Sequence, residues 1–265
     1  ALDYSSDGKL TFKWAAGDQI MVYGSDASAI YKVGEDGSSV TKLESESFTL
    51  NNNLTYYTFS PVEGTLSEAP KTAIPVSFEN QVQTANSNTE HLRLNQYACA
   101  EAKVENNSVN FQFLNQVAWV YYSHTFESEV KAAKVVMSVS EGEPFVLEGT
   151  LDATAGVSEK GYTTSIKATK TSNEMTLTLG ENGFDIAEGT SLDAFFTVHP
   201  VDLTGKVVTV KVFDAEGVEL SSESFAGRAI ARNAFIKFTE NSQKPVASLN
   251  GVEYVTVNDA INAAV

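Results

Sequence analysis

The chain of 265 residues is long enough for two domains of about 120 residues, with a core that needs no disulfide or metal staple. Its 42% hydrophobic and 10% aromatic content excludes a disordered chain. A net charge of -16, with 18 basic residues that form no cluster, excludes nucleic-acid binding driven by counterion release and leaves little attraction to anionic membranes.

From the start of the chain the dominant signal is alternation of apolar and polar residues, broken by Gly, Asn, Asp and Ser every 8–12 residues or so. In "LTFKW", Leu10, Phe12 and Trp14 share one face. "FKWAAGDQIMVYG" reads as two strands facing each other across Ala15, Ala16, Gly17 and Asp18, with Asp18 a turn residue whose carboxylate takes nearby amides. Glu35 and Asp36 fall in a second loop, "GEDGSS", which lacks the spaced ligands of a calcium loop. "FENQVQTANSNTEHLRLNQ", Phe78 to Gln96, is a long polar stretch and reads as a surface loop, where function tends to sit. Cys99, in "YACAEAKV", reads as an inert half-buried thiol; a single cysteine permits no intrachain disulfide and no cysteine-based zinc site.

"VENNSVNFQF" predicts a hairpin, because Asn106 and Asn107 tolerate the positive φ of a tight turn. "LNQVAWVYYS" is apolar on both faces and predicts a central, doubly covered strand. A domain boundary fits the charged stretch Ser123 to Ala133. Glu141 and Glu143 flank a glycine in a predicted hairpin loop. Further on, Val208, Val210 and Val212 share a face before a turn at Asp214 to Gly217. Beyond a linker ending at Pro245, a strand pair around Asn250 and Gly251 leads into a short helix, with Asn258 as N-cap and Val257, Ile261 and Ala264 on one face. The expected architecture is all-β: two β-sandwich domains, 1–125 and 126–241, and a linker with a strand and helix extension, 242–265. No apolar run approaches about 18 residues, so no transmembrane helix is expected.

His91, His124 and His199 stand alone, without metal-ligand spacing, and are expected on the surface or on edge strands. No Gly-x-Ser-x-Gly nucleophile context occurs. The acidic pairs would serve a glycosidase only if folding set two carboxylates across a cleft. Trp14, Tyr56, Tyr57, Trp119, Tyr121 and Tyr122 could form a sugar-stacking platform, but a sandwich core is the favoured place for them. No catalytic, cofactor-binding or metal-binding residue is assigned.

Several segments in order resemble the fimbrillin-like family of Bacteroidota, which contains the subunits of type V pili. They are the strand, turn and strand around Trp14, Gly17, Asp18 and Ile20 to Tyr23; the aromatic strand Tyr56 to Pro61; and Ile74, Pro75, Gln81 and Gln83. "LDAFFTVHPVDL", "VVTVKVFDAEG" and "RNAFIKFT" follow, so the resemblance covers roughly residues 8–240. It implies two transthyretin-like β-sandwiches in an exported protein that acts in adhesion and not in catalysis. The implied place is the cell surface or outer membrane, with a lipid anchor and signal removed from this chain. The implied partners are neighbouring pilin-like subunits or other surface proteins, and host or glycan ligands. Assembly would proceed by strand addition, with Leu2–Trp14 or Ala234–Thr239 and the tail as donors. The tail, through Tyr254, Thr256, Ala260, Ile261 and Ala264, resembles the start of a pectate-lyase-like β-helix. The alternative function is therefore a carbohydrate-binding module attached to a larger β-helix protein.

Overall fold

The computed structural model describes residues 2–5, 7–25, 27–36, 43–44, 49–62, 68–155, 161 and 164–264. Among the described residues β1 (Leu2–Tyr4) and β2 (Leu10–Phe12) pair only with each other. β3 (Gln19–Tyr23), β4 (Ser28–Val33), β5 (Leu43–Glu44) and β6 (Thr55–Ser60) precede β7 (Ile74–Ser77) and β8 (Gln81–Gln83). A 3-10 turn at Glu90–Asn95 leads to β9 (Ala98–Lys103), β10 (Leu114–Asn115) and β11 (Ala118–Thr125). Next come β12 (Val130–Ala132), β13 (Lys134–Val139), β14 (Phe145–Leu151), β15 (Ile166–Ser172), β16 (Glu174–Leu179) and β17 (Phe184–Ile186). β18 (Ser191–Val198), β19 (Val201–Asp202), β20 (Val207–Phe213), β21 (Glu219–Ala226), β22 (Ala229–Ile230) and β23 (Phe235–Phe238) complete the body. The tail holds β24 (Ala247–Leu249), β25 (Val252–Tyr254) and α1 (Val257–Asn262). The protein is all-β, as its two-residue rhythm requires.

Four sheets carry the architecture: β10-β9-β6-β3-β4-β5, β21-β20-β13-β16-β8, β15-β14-β7 and β18-β11-β23. The alternation in β3 explains why the first sheet is covered twice. Met21 and Tyr23 join the main core, whereas Ile20 and Val22 join a second cluster with Trp14, Tyr31, Val33, Tyr56 and Val104. The main core is continuous from Leu2 to Phe238. At its centre Val135 and Met137 of β13 meet Val208, Val210 and Val212 of β20 and Met175 and Leu177 of β16. Each such buried aliphatic side chain contributes about 1.5–3 kcal/mol by leaving water. β11 is buried on both faces, antiparallel to β18 and parallel to β23. β7 pairs with β14, and β8 runs parallel to β16, so segments before residue 126 complete sheets formed mainly after it.

Four local expectations are corrected. The strands flanking Trp14 to Asp18 do not face each other: β2 pairs with β1, and β3 with β4 and β6. The Asn106-Asn107 turn forms with φ of 52° and 59°, but the hairpin stops after the Glu105–Ser108 bridge, because Val109, Phe111 and Phe113 turn onto the second cluster. Glu141 and Glu143 lie between β13 and β14, which belong to different sheets, so their connection is no hairpin. In the tail, Thr256 and not Asn258 caps α1, its Oγ1 accepting from Asp259 N at 3.1 Å.

Candidate functional site

Asp18 is a turn residue. Its Oδ2 accepts from Ala15 N at 2.9 Å, Asp18 N donates back to Ala15 O at 3.1 Å, and Arg93 lies 3.7 Å from Oδ1. Gly17, at φ +87°, supplies the left-handed step that lets the loop close. Asp36 holds the same loop by accepting from Ala16 N.

The aromatic residues are packed rather than presented. Trp14, Tyr56, Trp119, Tyr121 and Tyr122 are all buried, and Tyr57 is half-buried beneath Lys71. A stacking platform for sugars needs exposed ring faces, so these residues do not form one. Cys99 is fully rather than half buried, and burial pushes its thiol up, away from the reactive thiolate.

The histidines are separated from one another, one buried and two partly buried. His91 is buried, and its Nε2 lies 2.8 Å from Phe195 O, which can only accept, so Nε2 carries the proton. His199 Nε2 lies 2.9 Å from Thr164 Oγ1. Burial holds both imidazoles below their ordinary value, favouring the neutral form. His124 Nδ1 is 3.0 Å from Glu223 Oε2, which also accepts from Tyr122, while Lys244 donates to Oε1. Among the described residues no three His, Cys, Asp or Glu side chains are grouped to hold a metal ion, and no helix is long and apolar enough to cross a membrane. The groove bounded by Glu101, Lys103, Glu105, Asn106 and Gln112, of 530 Å³, is open to solvent.

The Phe78–Gln96 segment is the largest departure from expectation, for although Thr84 to Ser87 are exposed, it buries Phe78, Gln81, Gln83, Thr89, His91 and Leu92. β8 reverses the usual polarity: Gln81 and Gln83 are buried and Val82 between them is 41% exposed. Both amides face the free side of β18. Gln81 Oε1 accepts from Thr197 N at 2.7 Å and its Nε2 donates to Thr197 O at 2.8 Å. Gln83 Oε1 accepts from Phe195 N at 3.0 Å and its Nε2 donates to Asp193 O at 2.7 Å. His91 takes Phe195 O, and Asn86 takes Asp193 N and Ser191 O, each at 2.8 Å. Side chains thus perform for β18 what a neighbouring strand's backbone would, and that edge is closed to further pairing.

The opposite edge of the same sheet is β23, where Ser242 Oγ donates to Lys237 O at 3.0 Å. The β1–β2 hairpin lies across the face of this sheet. Tyr4 meets Tyr121, Phe195 and Phe235 at ring separations of 5.2, 5.1 and 5.8 Å. Lys237 Nζ reaches Gly8 O at 2.5 Å, and Thr89 Oγ1 donates to Leu2 O at 2.8 Å. The tail keeps apart, and Val246, Val252, Val257 and Ile261 are exposed on it.

The body is many-stranded and all-β, and one edge of its β18-β11-β23 sheet is sealed by side chains. The solved structures place the fold. The chain is similar to a "putative cell adhesion protein" of Bacteroides ovatus, at 14% identity and a TM-score of 0.53, over 97% of this chain and 95% of that one. Proteins with the same description from Bacteroides thetaiotaomicron (10% identity, TM-score 0.41, 89% and 84% covered) and Bacteroides fragilis (12%, 0.36, 93% and 91%) are also similar to it. No family model matches the sequence, and no curated protein does. The fold is therefore shared with the Bacteroides ovatus protein along nearly the whole chain, and the resemblance read from Trp14, Gly17, Asp18 and the later segments points the same way.

Proposed function

We propose that this is a non-enzymatic cell-surface protein of the fimbrillin-like kind, a pilus subunit or adhesin that joins its partners by strand addition. The fold it shares with the Bacteroides ovatus protein supports the adhesive role. The observation that carries the assembly mode is the contrast between the two edges of one sheet, β18 occupied by four side chains and β23 by Ser242 on Lys237 O. An incoming strand along β23 would gain backbone hydrogen bonds there and side-chain contacts with the aromatic face now covered by Tyr4.

The same reading holds the protein to be exported to the outer membrane by a lipid anchor, with like subunits or other surface proteins as partners and host or glycan groups as ligands. It orders two sandwich domains along the chain, 1–125 and 126–241, before the 242–265 extension, with β7, β8 and β11 of the first segment contributing strands to sheets of the second. The buried aromatics leave the sugar-binding alternative without its stacking platform. The test is to mix the intact chain with a version lacking residues 2–14 and to look for ladders that resist SDS. Ladders in the mixture are expected; monomers throughout would count against the reading.

A further inference from the structure

The groove beside Glu101, Lys103, Asn110 and Gln112 opens inside a hairpin whose two ends are paired in one register. At the turn, Glu105 and Ser108 exchange N–H···O bonds, each 2.9 Å long. At the base, Leu114 pairs with Cys99, and Gln116 N donates to Tyr97 O at 2.8 Å. Counting one residue at a time along both strands from Glu105 and Ser108 arrives at Cys99 with Leu114, then at Tyr97 with Gln116, and no residue is left over. Between the two ends the same register matches Lys103 with Asn110 and Glu101 with Gln112. Those two pairs are open.

β9 bonds to β6 through alternate residues, and the pattern continues to Val104, whose N–H donates to Leu54 O at 3.0 Å. The backbone groups of Glu101 and Lys103 therefore point away from β6, into the groove. Neither they nor the backbone groups of Asn110 and Gln112 have a protein partner among the described residues. The side chains are already sorted for pairing. Val109, Phe111 and Phe113 pack on the cluster that holds Val104 and Tyr56, with the Phe113 ring 5.3 Å from Trp14. Asn110 and Gln112 are exposed, as are Glu101 and Lys103. Residues opposite each other on paired strands share a face, so no side chain has to change sides for the two walls to join. A sideways shift to the ordinary strand spacing of about 4.8 Å suffices. The turn is held meanwhile, because Asn107 N donates to Asn52 Oδ1 at 2.7 Å and Asn52 Nδ2 to Asn107 Oδ1 at 2.6 Å.

We propose that residues 109–113 form a strap that closes onto β9 in the register its two ends already hold, making the Lys103–Asn110 and Glu101–Gln112 pairs. Closing erases the groove and extends the two-residue β10 into a continuous strand along this end of the six-stranded sheet. Opening interrupts that strand again. The strap thus decides whether this end of the sheet presents a groove or an unbroken edge.

Amide hydrogen exchange, followed by NMR on the intact chain, reads Glu101, Lys103, Asn110 and Gln112 separately. All four amides donate across the closed hairpin, so each should exchange about tenfold or more below its free-chain rate. Free-chain exchange at any of the four would overturn the proposal. Disulfide trapping adds the geometry. Lys103→Cys with Asn110→Cys places two Cα atoms about 5.5 Å apart in the closed strap, within the range a disulfide spans. Lys103→Cys with Gln112→Cys is out of step by two residues. In the same glutathione buffer the first pair should form its bond at least about tenfold more readily than the second. Equal yields, or more bond in the second pair, would overturn the register. Cys99 is buried, and peptide mapping separates any bond to it. The substituted positions are all exposed, and exchange in the wild type decides the matter even where a variant fails to fold.

Discussion

Replacing Gln81 with methionine removes one amide and almost no volume. Gln81 is 3% exposed, and its amide serves Thr197 N–H, Thr197 C=O and Phe78 C=O. Thr197 is itself fully buried, so water cannot replace the lost partners without opening the sheet. A stranded buried polar group costs about 1–3 kcal/mol, and the two groups of Thr197 together cost roughly 2–6 kcal/mol. The methionine regains about 1–2 kcal/mol from its apolar surface. The net loss is then about 3 kcal/mol, which for a chain of this length lowers the melting temperature by roughly 6–12 °C. Thermal unfolding followed by far-ultraviolet circular dichroism, with hydrogen exchange read at Thr197, measures both effects. Val82→Ala, on the exposed face of the same strand, should stay within about 0.5 kcal/mol of the wild type. If Gln81→Met also stays within that margin and Thr197 exchanges as slowly as before, the side-chain ladder does not hold β18.

Gly227 carries no Cβ because one would sit 2.1 Å from Leu203 O and 2.8 Å from Lys206 O. Gly227→Ala should therefore cost more than about 3 kcal/mol by overpacking against backbone, whereas Gly217→Ala, in open space at φ +86°, should cost about 1–2 kcal/mol for its backbone conformation alone; urea unfolding compares them. His91 and His199 have folded-state values below the ordinary 6.5, so the stability tied to their neutral forms is complete above that pH and is lost as pH falls through the lowered values. Urea midpoints should fall from about pH 6.5 downward, and His91→Gln should flatten part of the fall. Glu223 adds to the loss at lower pH: burial raises its carboxyl, but hydrogen bonds from Lys244, Tyr122 and His124 hold it below 4.5 overall. A midpoint that does not change between neutral and mildly acidic pH would contradict both assignments.

What the sequence revealed was whatever depends on neighbours along the chain. Val208, Val210 and Val212 lie fully buried on one face, and Asn106 and Asn107 both take positive φ, because local rhythm and local backbone preference decide those features. Gln81 and Gln83 escaped because their partners lie more than 100 residues away on β18. In "ENQVQT" the two amides alternate with a valine, a pattern that ordinarily sends the valine inward. Here the exposed strand edge has the stronger claim on the amides. The one available signal was the reversed polarity itself, a short alternating run with glutamines where a sheet would place apolar residues. Asp18 shows the opposite case, since its partner Ala15 is three residues away and its role as a turn residue was readable from Gly17 and Asp18 alone. The capping of α1 was also local, and Thr256 with Asp259 three residues on marks it better than Asn258 does.

Hydrogen exchange resolved by mass spectrometry, on the intact chain mixed with the version lacking residues 2–14, bears most directly on assembly through one edge of the β18-β11-β23 sheet. New protection at Phe235–Phe238, with no change at Ser191–Val198, is the predicted result. Protection gained along Ser191–Val198, or none at either strand while the chains nevertheless associate, would contradict it.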